Sequence, residues 1–226
     1  MTTSGVTTWS LTARDIVKEA MLELNILSPG EEPEAEELQR CFVRLNGMLK
    51  SSSTVGGFGF LEATGTVTIP ANIASGSLPT GIRNINSARV VVSSIYHRQM
   101  QAFNRSQYLS LPNKTASGSP TIYYISDNGD TTTMYVWPVP TAITTISVDY
   151  ARTIETVTDG TETLDIPQEW QEAVYLNLAV RIAPMFGAAR IDPQTLAQVE
   201  QRAERLSGML LDAERPDSYF FETWDS

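Results

Sequence analysis

The stretch DIPQEWQEAVYLNLAVRIAPMFG, residues 165–187, decides how the rest of the chain is read. It predicts one long helix. Pro167 suits the first helical position, where its fixed φ helps and its missing N–H is not needed. Glu169 and Glu172 place negative charge near the positive end of the helix dipole. Gly187 can take the left-handed conformation that closes a helix, and Pro184, one turn earlier, predicts a kink or an early loosening. Trp170, Val174, Tyr175, Leu176, Leu178, Val180 and Ile182 leave the helix apolar almost all round, the pattern of a central element covered on several sides.

Downstream, Asp192-Pro193 starts another helix, with a capping aspartate followed by proline. Its apolar residues Leu196, Val199, Ala203, Leu206 and Leu210 form a narrow seam suited to packing along a single neighbour. Arg215-Pro216 stops it. Upstream, residues 64–152 switch to a period of two. Strands are predicted at 64–70, 89–96, 121–125, 132–138 and 143–152. Asp127-Asn128-Gly129-Asp130 reads as a hairpin turn, and the last three strands as a meander. Residues 99–110 are ambiguous and could hold a helical turn. Further upstream still are two helices. Residues 12–27 bury one stripe and open on a capping box of Thr12 and Asp15; residues 31–50 bury Leu38, Cys41, Phe42, Leu45, Met48 and Leu49. SSSTVGGFG, residues 51–59, reads as a flexible boundary.

These readings predict an α+β protein: an antiparallel bundle of about four helices, an inserted small antiparallel β domain and an extended C-terminal tail. The expected layout is an N-terminal arm at 1–11, a helical hairpin at 12–55, the β domain at 60–155, C-terminal helices at 160–215 and the tail at 216–226.

The formal net charge is −10, from 26 acidic and 16 basic residues, with only three lysines. A nucleic-acid binder that grips phosphates carries a basic face, and none is visible. The acidity fits a solubilising surface, or one that repels passing DNA. There is no apolar run of membrane-spanning length, and the N-terminus lacks the pattern of a secretory signal. Cys41 is the single cysteine and reads as a small core residue.

Reactive chemistry is hard to find. His97 is the single histidine and has no spaced metal-ligating partners. The nucleophile-elbow, P-loop and zinc-protease motifs are missing, and no cofactor is implied. Glu31/Glu32 and Asp159/Glu162 are acidic pairs that could serve a glycosidase only if they faced each other across a cleft. The C-terminus, DSYFFETWDS, holds Tyr219, Phe220, Phe221 and Trp224 within six residues. Aromatics so concentrated dock somewhere, either on the same subunit or on a neighbouring subunit or another protein.

Taken in order, three segments resemble the head-to-tail adaptors of tailed phages, and in particular the tail accessory factors, or packaged-DNA stabilisation proteins, of short-tailed phages. They are TARDIVKEAMLELNIL with PGEEPEAEELQRCFVRLNGMLKS; the strand-rich segment marked by Gly118, Pro120, Trp137, Pro138 and Pro140; and residues 166–187. The resemblance spans roughly residues 10–215. It implies a non-enzymatic virion protein assembled in the host cytoplasm, forming a ring of twelve copies between the portal and a downstream tail or nozzle protein. Such a ring extends the DNA channel and retains the genome without sequence-specific DNA binding or membrane contact. It makes Tyr219, Phe220, Phe221 and Trp224 candidates for an anchor on the portal or on a neighbouring subunit. The competing readings are a virion-associated cell-wall hydrolase using paired acids, and a tail-tube or stopper ring protein.

Overall fold

The computed structural model describes residues 8–55, 59–128, 131–187 and 190–214. The chain divides into two compact units, one made of Met1–Phe60 with Ile154–Ser226 and the other of Leu61–Thr153.

In the first unit, helix α1 is Ala13–Glu23. Its predicted capping box is present: Thr12 Oγ1 accepts from the Asp15 N–H at 3.2 Å, and the Thr12 N–H donates to Asp15 Oδ2 at 3.0 Å. Two more of its orphan N–H groups are met from across the unit, Ala13 by the Glu162 carbonyl at 2.8 Å and Arg14 by the Gly160 carbonyl at 3.0 Å. The helix ends four residues before the predicted Leu27. Asn25, at φ 55°, closes it, with Asn25 N–H on the Leu22 carbonyl at 2.9 Å and Ile26 N–H on the Met21 carbonyl at 3.0 Å. That is a Schellman closure with asparagine in the place glycine usually takes.

Helix α2, Ala35–Val55, runs through the serines expected to be a flexible boundary. Ser51 satisfies its hydroxyl on the Met48 carbonyl at 2.9 Å, so the polar run stays helical while Met48 and Leu49 remain buried. Asn46 pins the segment that returns after the second unit, through reciprocal 2.9 Å bonds with the backbone of Val157.

The central stretch begins as a 3-10 turn, Gln168–Trp170, and continues as an α-helix, Gln171–Phe186. Pro167 stands just outside at φ −58°, ψ 152°, with its carbonyl accepting from Trp170. Pro184 is accommodated within the helix, which ends two residues later; Gly187 has φ 76° but ψ 156°, so it leaves the helix by an extended rather than a left-handed helical route. We number the elements in chain order, so this helix is α4; α3 lies in the second unit. The last helix, α5, is Pro193–Glu214, capped by Asp192 through the Thr195 N–H at 3.0 Å.

The second unit holds eight strands: β1 Glu62–Ile69, β2 Ser75–Ser77, β3 Ile82–Val91, β4 His97–Gln99, β5 Gln101–Ala102, β6 Ile122–Asp127, β7 Thr132–Trp137 and β8 Thr144–Arg152, with helix α3, Arg105–Leu109, between β5 and β6. They form two four-stranded sheets, ordered β1-β8-β3-β4 and β2-β7-β6-β5. Apolar residues of both sheets, Val67, Ile69, Val90, Met134, Val136, Ile146 and Val148 among them, make one buried core. Gly76 sits where this core is tightest: a Cβ there would lie 2.5 Å from Ile69 Cδ1.

Two expectations fail here. The four-helix bundle carrying a small antiparallel insert is not what forms. The described residues contain five α-helices and eight strands in two sheets, a mixed α+β fold. The apolar faces explain it. α4 is covered by α1, α2 and α5, whereas α5, burying Val199 and Ala203 on a narrow seam, lies along α4. In the other unit β5 pairs with β6 in parallel, so the sheets are not wholly antiparallel. The meander also fails. β6 and β7 form the predicted hairpin, but β8 pairs with β1 and β3 in the other sheet. Pro138 and Pro140 offer no N–H to a ladder. They lead the chain out of β7, and the flanking Val139 bonds instead to the loop at Ala116, 2.8 Å.

Candidate interaction surfaces

The acidic pairs are committed to local structure. Glu32 bridges Lys18 at 2.5 Å and Arg14 at 3.2 Å, and these contacts, the Lys18 bond first, hold its carboxyl below the usual range. Glu31 accepts from the Ser28 N–H at 2.7 Å in the α1–α2 connection. Glu162 accepts from Thr158 Oγ1 at 2.6 Å and from two backbone N–H groups, and its pKa is lowered chiefly by the Thr158 hydroxyl. Asp159 caps the Thr161 N–H at 3.0 Å. A general acid needs a carboxyl held above its ordinary value, and Glu32 and Glu162 move the other way.

His97 is exposed on β4, opposite Val91. Among the described residues no group of three His, Cys, Asp or Glu is placed to hold a metal, and no helix is long and apolar enough to cross a membrane. Cys41 is fully buried, and burial, with the Glu37 charge secondary, pushes its thiol up to about 11. It is a core residue, not a nucleophile.

Two surface features remain. The first is the turn joining β3 to β4. The expected strand at residues 89–96 is cut short: β3 ends at Val91 and residues 92–96 form the turn. The Val92 N–H donates to the Tyr96 carbonyl at 3.0 Å, and Ser93 Oγ accepts from the Tyr96 N–H at 3.0 Å. This serine turn overrides the strand preference of the Val/Ile run. It puts Val92 and Tyr96 in solvent and leaves Ile95 95% exposed. An apolar run at a strand end next to Ser93-Ser94 was the available signal, and periodicity alone reads it as buried.

The second feature is an apolar groove of about 260 Å³ in the first unit, walled by Met48, Leu49, Ile166, Trp170, Val174 and Leu211. It is framed by α2, α4 and α5. Asn177 of α4 donates to Ser207 Oγ of α5 at 2.9 Å and back to the Ala173 carbonyl at 2.7 Å. Arg181 of α4 reaches Ser51 Oγ of α2 at 3.2 Å. At one side the rings of Phe60 and Trp170 lie 5.9 Å apart, tilted by 53°. The anchor candidates Tyr219, Phe220, Phe221 and Trp224 lie outside the described residues.

The chain belongs to the SU10 adaptor protein family, whose model matches residues 11–220. This agrees with the resemblance to phage head-to-tail adaptors and supports an adaptor role for the chain as a virion component. No curated protein matches the chain.

Proposed function

We propose that this protein assembles as a closed ring, of twelve copies, between the portal and a downstream tail or nozzle protein. The ring extends the DNA channel and retains the packaged genome, and it does so without catalysis. The observation that carries the reading is the exposed apolar turn at Val92, Ile95 and Tyr96, in a member of an adaptor family. An isoleucine 95% exposed at a loop tip gains by being covered, and in a ring the cover is a neighbouring copy or a partner protein.

The formal charge of −10 supports a channel through which DNA slides without being gripped, since few cations are available to hold phosphates. Tyr219, Phe220, Phe221 and Trp224, in the tail at 216–226, are the proposed anchor on the portal or a neighbouring subunit. Assembly takes place in the host cytoplasm and involves no membrane. The test is deletion of residues 217–226. The truncated chain should keep the wild-type circular-dichroism spectrum and melting temperature yet fail to attach to purified portal. Undiminished attachment would remove the anchor from the account.

A further inference from the structure

We infer that the groove between α2, α4 and α5 is the seat of the chain's own aromatic segment, residues 217–226, before any partner is met. The inference rests on the reading of that segment as an anchor and adds where it is held beforehand.

The first support is where the described chain ends. The last described residue of α5 is Glu214, one helical turn beyond Leu211, which is part of the groove wall. Twelve residues follow Glu214. An extended chain covers about 3.3–3.6 Å per residue, so Tyr219 to Phe221 fall within roughly 17–25 Å of Glu214. A tether this short holds the segment at an effective concentration in about the millimolar range, where weak apolar contacts suffice.

The second support is fit. The groove is apolar, and its roughly 260 Å³ suits an aromatic side chain. The third is charge. The segment carries Asp217, Glu222 and Asp225, and Arg181 stands in the groove wall. Seating the segment in its own chain keeps four aromatics from joining free copies prematurely, and a partner with a better seat releases it.

The test uses the full chain with paired cysteines. Leu211→Cys with Phe221→Cys places one thiol in the groove wall and one in the segment. Met209→Cys with Phe221→Cys is the control, because Met209 is two residues away on the same helix but 60% exposed. Cys41 is buried and is a spectator in both. Under mild oxidation the Leu211 pair should close about tenfold faster than the control, within single chains, at a rate independent of protein concentration. In the wild-type chain, amide exchange over residues 219–224 should be slowed, and Leu211→Lys should restore it. Equal closure rates would overturn the inference by showing a tether without a seat. Disulfide-linked dimers that increase with concentration would overturn it too, by making a second copy the source of the segment. Either failure leaves the anchor reading standing if deletion of 217–226 still abolishes portal attachment; the anchor reading itself fails if the deletion leaves attachment intact.

Discussion

Asn177 Nδ2 lies 2.9 Å from Ser207 Oγ, and this bond joins α4 and α5, two of the three helices that frame the first unit's groove. The same amide group donates to the Ala173 carbonyl, so Asn177 is held along its own helix as well as across to its neighbour. Asn177→Ala strips the Ser207 hydroxyl of that partner at a half-buried site. It should cost about 1–2 kcal/mol, with Ser207→Ala costing less because Asn177 then still keeps its bond to the Ala173 carbonyl. Urea denaturation of the two variants and of the double variant checks this; a double-variant loss equal to the sum of the two single losses would show that the cross-helix bond contributes nothing.

Gly76 and Gly208 give opposite predictions from one substitution. A Cβ at Gly76 meets Ile69 Cδ1 at 2.5 Å and Val67 Cγ1 at 3.0 Å, both in the core between the sheets. Gly76→Ala should therefore destabilise the second unit by about 1–3 kcal/mol. Gly208 is inside α5 with nothing within 4 Å of its added carbon. Gly208→Ala should stabilise by about 0.5–1 kcal/mol through the helix preference alone. Melting temperatures of the two variants should move in opposite directions.

Asp149 links three strands: it accepts from Ser87 Oγ of β3 at 2.6 Å, from Thr64 Oγ1 of β1 at 2.9 Å, and from Arg89. The Ser87 bond foremost, then Thr64 and Arg89, holds its carboxyl below its ordinary value of 3.8. Since the folded pKa lies below the unfolded one, the stability it contributes is complete above the unfolded value. It is lost as pH falls through the folded pKa. Denaturation midpoints followed from pH 6 down to about pH 2 should fall in acid, and Asp149→Asn should flatten the part of that fall due to this group. An unchanged acid limb in the variant would assign the fall to other carboxylates.

Ile95→Asp changes a side chain that is 95% exposed, so folding stability should move by less than about 0.5 kcal/mol. Subunit or partner association should drop sharply, because a charge replaces apolar surface at a contact. Sedimentation of the wild type and the variant with purified portal measures this. Equal sedimentation would show that the turn is not an assembly contact.

Much of the local structure could be read from local signals. Thr12 and Asp15 fixed the start of α1, Asp192-Pro193 the start of α5, and Asp127-Asn128 the β6–β7 hairpin, because caps and turns are decided by neighbours in the chain. What escaped was decided at a distance or by an unusual residue. Asn25 closes α1 in place of glycine, so the expected end at Leu27 overshoots the true one. Ser51 stays helical through its bond to Met48 and packs against Arg181, a residue 130 positions away. β8 chose β1 and β3 over its sequence neighbour β7, and no periodicity encodes that choice. Ile95 falls in the expected 89–96 strand by composition and is instead exposed in a turn because Ser93 turns the chain. The apolar helix at 165–187 was correctly seen as central, but its apolar girth says only that it is covered, not that the cover is a four-helix bundle.

The most direct test of the account is electron microscopy of the purified full-length chain with and without its phage's portal ring. The account predicts a second ring of density, coaxial with the portal and built from copies of this chain around an open channel. A portal left bare at saturating protein, with the chain remaining a monomer, would contradict it.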